Sequence, residues 1–331
     1  MGDDNMQEFD DPAQRQAICE KQWKEQHGMK TSSLISLVLQ TPWAILPAKL
    51  AAIVAVLIRH ESGARLTAEE VQLQIGSVRR NDDSVRAGMQ GVAILPLYGA
   101  IFPRANLMTE TSGATSAESF GRMFRQAMAD TNVGAVVLDI DSPGGAVSGI
   151  DELSFEIARS RGAKPVVAVA NHLAASAAYW IATAADEIVV PPSAEVGSIG
   201  VFAAHEDVSK ALEAEGVKVT LVSAGKYKVE GNPYEPLTEE ARSAIEIRVA
   251  DFYNMFVSRV AKNRGVSAAA VRNGYGEGRV VGAKDARASG MADRIDTLEG
   301  TIARVAKQIA KTRSPKADLE FRERRARALT S

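Results

Sequence analysis

From Gly91 onward the chain alternates short, almost unbroken apolar runs with longer stretches in which apolar residues recur every three or four positions. The runs V-A-I-L-P-L, A-V-V-L-D-I, P-V-V-A-V-A and E-I-V-V are rich in Val and Ile and have strand length. Helical spacing fills about 116–130, 146–161 and Ala174–Ala185 between them. Strands apolar on both faces, separated by helices of ten or more residues, predict parallel β-α-β crossovers. G-S-I-G-V (197–201) continues the pattern, followed by a helix near 206–215 and a further strand, V-K-V-T-L-V. A long helix is predicted over Thr238–Arg264, opened by Thr-Glu-Glu, with shorter helices over 267–311. The pattern as a whole predicts an α/β domain over 86–311.

The amino-terminal segment reads differently. Its first residues are acidic and lack the basic start of a secretory signal, so export by that route is not expected. Thr31–Ile58 is the most apolar stretch, but its uncharged part ends at Lys49 and contains Pro42 and Pro47, whereas a membrane-spanning helix needs about 20 clean residues. An anchoring loop and an amphipathic helix from about Pro47 to His60 are predicted, and membrane association is not. E-E-V-Q-L-Q-I suggests a short helix and R-R-N-D-D-S a linker, which makes 1–85 an amino-terminal helical extension. The last segment, 312–331, has six basic and three acidic residues and reads as a charged, flexible tail.

Composition narrows the chemistry. A formal net charge of −2 argues against a general nucleic-acid binder held by phosphate neutralisation. The single cysteine, Cys19, forbids an intrachain disulfide and a thiolate zinc site. The four histidines, His27, His60, His172 and His205, show no metal-ligand spacing, so neither a metal nor a cofactor is expected.

Three segments remain. D-S-P-G-G (141–145) lies between a strand and a helix, where its glycines would expose backbone N–H groups suited to an oxyanion, although an isolated turn of this kind is usually structural. Ser176, among Ala174, Ala175, Ala177 and Ala178, starts a helix, where a serine most often acts as an N-cap. A nucleophilic serine needs a base. His172 is only four residues away and badly placed, which leaves a lysine made neutral by burial: Lys228, with Lys226 as its rival in G-K-Y-K.

Taken in order, D-S-P-G-G (141–145), A-A-S-A-A-Y-W (174–180), G-S-I-G-V (197–201) and G-K-Y-K (225–228) resemble the SppA-type signal peptide peptidases, Ser-Lys serine peptidases of the ClpP/crotonase-like fold. The resemblance covers about 91–297. It implies Ser176 as nucleophile, Lys228 as general base, Ser198 as the hydroxyl that positions the lysine amine, and backbone N–H groups of Gly144 or Gly145 and of Ala177 as oxyanion donors. Ala177 and Ala178 stand where many relatives have Gly-Gly, a departure that still leaves a main-chain donor. T-P-W-A-I-L-P and G-N-P-Y-E-P-L resemble the bacteriophage and prophage branch, the head maturation proteases. The expectation is therefore a cytoplasmic, homo-oligomeric endopeptidase cleaving scaffold, portal or capsid proteins or its own termini, without cofactor. Its rivals are a cellular peptidase that degrades signal peptides and an inactive head scaffold protein.

Overall fold

The computed structural model describes residues 33–61, 86–87, 91–105 and 114–312 of the chain. Strands β3 (Val92–Tyr98), β6 (Ala135–Ser142) and β8 (Val166–Ala175) run parallel side by side, so the Val- and Ile-rich runs form the sheet centre, as expected for β-α-β units. Both faces are covered. On one, helix α3 (Ala117–Ala129) and helix α4 (Ile150–Arg159) bury Phe120, Phe124, Ile150 and Ile157 against Leu95, Leu138 and Ile140. On the other, helix α10 (Leu298–Thr312) lays Val305, Ala306 and Ile309 across Val137, Val167 and Val169. The spacing of those three α10 residues is that of one helical face. Each fully buried aliphatic side chain contributes about 1.5–3 kcal/mol of transfer free energy.

Local signals set the helix starts. The Ser116 hydroxyl accepts the Ser119 N–H at the start of α3. Thr238 does the same for Ala241 at the start of α7 (Glu239–Arg264), and Gly265, at φ 67°, ends that helix. Helix α7 is about 39 Å long by its residue count. Its carboxyl-terminal part is packed, with Phe256 stacked on Trp180 at 4.4 Å, while Ile247 and Met255 stay exposed.

Four sequence expectations are corrected. The helix read over Ala174–Ala185 shrinks to α5 (Ala177–Ala182), because Leu173–Ala175 pair with β10 (Glu195–Gly197) and so belong to β8. The helix read from 146 begins at Ile150, because Gly144–Ala146 form β7. The helix near 206–215 is the shorter α6 (Ser209–Ala214). V-K-V-T-L-V (217–222) forms no strand: β11 (Val280–Gly282) already pairs with β10 on that edge, so the segment has no ladder to join. Val217, Val219, Leu221 and Val222 are left exposed, Val222 to 95%.

The remaining elements frame this sheet. Residues after α7 form α8 (Ala268–Gly274), β11, α9 (Ala283–Ala288) and β12 (Arg294–Ile295), which pairs with β9 (Glu187–Val190) beside β8. At the amino-terminal end, β2 (Arg86–Ala87) pairs with β3. Helix α1 (Ser33–Gln40), strand β1 (Trp43–Ile45) and helix α2 (Pro47–Glu61) precede it, the last in agreement with the sequence reading. No helix among the described residues is long and apolar enough to cross a membrane. Strand β1 joins β7, β4 (Ile101–Phe102) and β5 (Thr115–Ser116) in a second, four-stranded sheet. Trp43, Ile45, Leu50 and Ile53 pack there on Ala100, Phe102 and Ala146, so the described part of the 1–85 extension is built onto the domain that follows it. The acidic start, the predicted helix and linker between 62 and 85, and the tail beyond 312 lie outside the described residues.

Candidate active site

A bulge in β8 sets the position of Ser176. Ile140 pairs with Ala170 and Ser142 with Ala174, so β8 uses two more residues than β6 over the same span. The extra length is taken up around His172, which is exposed and sits at φ 95°. Four residues later the chain turns sharply into α5 at Ser176, with φ 56° and ψ −118°. Four non-glycine residues among those described have positive φ, and His172, Ser176 and Ser198 are three of them. Backbone strain of this kind costs about 1–3 kcal/mol per residue and persists where the surrounding structure holds it.

The Ser176 side chain does not cap α5, which removes the ordinary explanation for a serine at this place. Its N–H donates to the Gly197 carbonyl at 2.7 Å, and its Oγ approaches the Gly200 carbonyl at 3.5 Å. The serine is therefore wrapped by residues 197–200, the G-S-I-G segment. Ser176 is 1% exposed, and Ala174, Ala175, Ala177 and Ala178 around it are fully buried.

Gly144 of D-S-P-G-G stands directly against Ser176, and Gly145 follows in β7. A Cβ on Gly144, whose φ is 100°, would lie 3.0 Å from Ser176 Cβ and overlap the Ala44 carbonyl oxygen. A Cβ on Gly145 would overlap the Ile101 carbonyl. Close backbone approach thus demands glycine at both positions. The Gly144 N–H donates to Ser142 Oγ at 3.2 Å, and that hydroxyl donates to the Gly99 carbonyl at 2.6 Å. Gly145 lies opposite Ala44 in the β7–β1 ladder. The Ala177 N–H is the first amide of α5 and has no carbonyl one turn back within the helix to receive it. An oxyanion site would draw on backbone N–H groups of this kind.

The base is not assembled beside them. Ser198 is buried at φ 53°, held by its N–H to the Arg279 carbonyl at 2.8 Å, and its hydroxyl makes no hydrogen bond among the described residues. Lys228 lies in an irregular loop, its backbone N–H on Gly225. Its side chain is exposed and makes no hydrogen bond or ion pair among the described residues. The rival Lys226 donates to Glu240 Oε1 at 2.9 Å and to the Tyr227 hydroxyl at 2.7 Å. Those partners push its pKa above the usual lysine value, the opposite of what a neutral base needs. His172 makes no hydrogen bond to Ser176. No three His, Cys, Asp or Glu side chains among the described residues form a metal-binding group.

Sequence reasoning passed over two participants. Ser142, which orients the Gly144 amide, reads in sequence only as part of a turn. Strand β1 occupies the far side of the two glycines, and its signal was the pair of prolines that confine an uncharged four-residue run in T-P-W-A-I-L-P.

Residues 158–312 match the family described as Peptidase family S49. The chain is 35% identical over 239 residues to capsid assembly protease C of Escherichia phage lambda, covering 71% of this chain and 54% of that protein. It is 32% identical over 283 residues to head-tail preconnector protein GP5 of Enterobacteria phage P21, covering 82% and 56%. It is 31% identical over 224 residues to the chloroplastic serine protease SPPA of Arabidopsis thaliana, covering 67% and 33%. The chain thus spans about half the length of the two phage relatives. Among solved structures, a ClpP1 mutant from Listeria monocytogenes superposes with a TM-score of 0.39 at 15% identity, covering 63% of this chain and 94% of that one. The segment 158–312, which carries Ser176, Ser198 and Lys228, belongs to peptidase family S49.

Proposed function

We propose that the protein is a serine endopeptidase with a Ser176–Lys228 dyad, acting in phage or prophage head assembly on scaffold, portal or capsid proteins or on its own termini. The observation that carries the chemistry is the strained turn that presents Ser176 to Gly144, Gly145 and the start of α5. The two phage relatives, named for capsid assembly and for the head-tail preconnector, support the biological setting. In the reaction Ser176 Oγ attacks the scissile carbonyl while neutral Lys228 takes its proton. The N–H groups of Gly145 or Gly144 and of Ala177 hold the oxyanion, and each such donor is worth about 3 kcal/mol of barrier. Lys228 then protonates the leaving amine and activates the water that releases the acyl group.

Lys228 is exposed in the single chain, and a neutral amine needs burial. We assign that burial to assembly: the exposed apolar residues Val217, Val219, Leu221 and Val222 immediately precede the lysine loop and suit contact with another copy. The test is intact-mass analysis of an unfolded scaffold or portal fragment incubated with wild-type protein and with Ser176→Ala, at several protein concentrations. Cleavage by the wild type alone, rising more steeply than first order in protein, is the expected result. Equal cleavage by both overturns the nucleophile, and strictly first-order dependence overturns the role of assembly.

A further inference from the structure

Strand β1 is hydrogen-bonded on both edges, although it is three residues long and separated from β7 by about a hundred residues of chain. On one edge it runs antiparallel to β7, with Trp43 opposite Ala146, Ala44 opposite Gly145 and Ile45 opposite Gly144. The Leu46 N–H to the Pro143 carbonyl at 3.0 Å and the Val147 N–H to the Pro42 carbonyl at 3.3 Å extend that ladder at both ends. On the other edge the Trp43 N–H donates to the Phe202 carbonyl at 2.8 Å, and the Phe202 N–H returns to the Trp43 carbonyl at 3.0 Å. The two flanks of this slot are the oxyanion glycines and the segment that continues from Gly200, the residue whose carbonyl Ser176 Oγ faces. A strand inserted between two edges that both end at a nucleophile has the geometry by which proteins bind extended peptides through main-chain hydrogen bonds.

We infer that the slot between β7 and Phe202 is the substrate groove, that it takes an extended uncharged peptide with a small residue opposite Gly145, and that Pro42–Leu46 of this chain occupies it in cis. The inference rests on Ser176 being the nucleophile. Register supports it: the Ala44 carbonyl oxygen and Ser176 Cβ meet at the same point beside Gly144, where a Cβ is missing. Ala44 is therefore a residue of β1 whose carbonyl lies beside the serine. It is fully buried, and a longer side chain has no room there. Trp43 and Ile45 face away into the small cluster with Leu50, Ile53 and Phe102, and that cluster is the grip which keeps the strand in place. Pro42 and Pro47 bound the strand and limit it to the length of the slot. If β1 leaves, the backbone groups of β7 and Phe202 become free for a peptide from another protein, so the chain competes with its own substrates.

The experiment uses the full chain and a small fluorophosphonate probe, with acylation followed by intact mass and the Ser176→Ala variant as control. Ala44→Arg cannot be seated in the slot and is expected to raise the acylation rate at least tenfold over wild type. In the wild-type protein, hydrogen exchange at residues 43–46 and at Phe202 is expected to rise once the serine is acylated, a readout that needs no variant to fold. Cleavage after Ala44, seen as a truncated mass in wild type and not in Ser176→Ala, also supports the assignment. Equal acylation of wild type and Ala44→Arg, together with protection of 43–46 that survives acylation, overturns it. Labelling that persists in Ser176→Ala overturns instead the nucleophile on which the inference rests.

Discussion

The proposed nucleophile, Ser176, and the proposed base, Lys228, sit in surroundings built to different standards. Ser176, Gly144 and Gly145 lie at the carboxyl ends of buried parallel strands, packed among alanines and held by backbone hydrogen bonds on every side. Lys228 lies in an irregular, largely exposed stretch from about 215 to 237, whose end at Leu237 borders an open cleft of about 1240 Å³ between residues 199–205 and α7. On the proposed assignment the difference teaches where preorganisation is placed: the strained turn at Ser176 and the amides around it are fixed by the sheet, and the lysine is left to be brought in.

The sharpest way to break this comparison is to remove one member from each half. Ser176→Ala is expected to lower kcat/KM by at least about 10⁴-fold with an unchanged thermal midpoint, since one oxygen leaves a site lined by alanine. Lys228→Ala is expected to be as damaging, because residues acting as a unit give non-additive losses, and the double variant no worse than either. Lys226→Ala, which removes exposed contacts with Glu240 and Tyr227, is expected to stay within about threefold of wild type. Progress curves on one peptide substrate decide it. A dead Lys226→Ala with an active Lys228→Ala would move the base by two residues.

The next prediction tests what ties the halves together. Phe256 on α7 stacks on Trp180 of α5, the helix that starts at Ser176, so one apolar contact joins the nucleophile's helix to the helix that follows the lysine loop. Phe256→Ala leaves a buried cavity and is expected to cost about 3–5 kcal/mol. Urea denaturation measures it. A cost below about 1 kcal/mol would mean that α7 is held by something other than this stack.

What was legible in the sequence divides along the same line. The turn that carries Ser176 was readable because its physics is local: Val- and Ile-rich runs, glycines at a turn and a serine among alanines all lie within a few residues of the atoms they govern. The α/β class and the long helix capped by Thr238 and Gly265 followed from the same kind of signal. The strand expected over 217–222 failed because alternation of apolar residues reports a wish to pair and not the presence of a free edge, and β11, sixty residues later, had taken that edge. The β1 slot was illegible for the same reason: nothing near Trp43 announces Gly145 or Phe202 as partners. The bulge at Asn171–Leu173 was hidden too, since only the register of two strands reveals it.

The smallest expected effect concerns the seam where α7 meets the sheet. Arg264, in the last turn of α7, reaches Asp293 through two contacts at 2.7 and 2.8 Å, and the Asp293 carboxylate also accepts the Ile188 N–H of β9 at 2.8 Å. Burial alone would raise the Asp293 pKa. The Arg264 guanidinium and the Ile188 amide outweigh it and hold the carboxyl below the usual aspartate range. A carboxyl whose folded-state pKa is depressed stabilises the fold fully above about pH 4, where the unfolded chain is already ionised. That stabilisation is lost as pH falls through the lower folded-state value. Asp293→Asn keeps the shape and removes the charge, so the variant is expected to lose stability at neutral pH and to show a shallower decline than wild type on acidification below pH 4. Asp293 is partly exposed, so solvent screening keeps the difference small, and thermal midpoints measured from pH 7 down to pH 3 are sensitive enough to read it. Parallel wild-type and variant curves across that range would show that α7 is anchored by its apolar contacts alone, and the seam between the two halves would then rest on the Phe256–Trp180 stack.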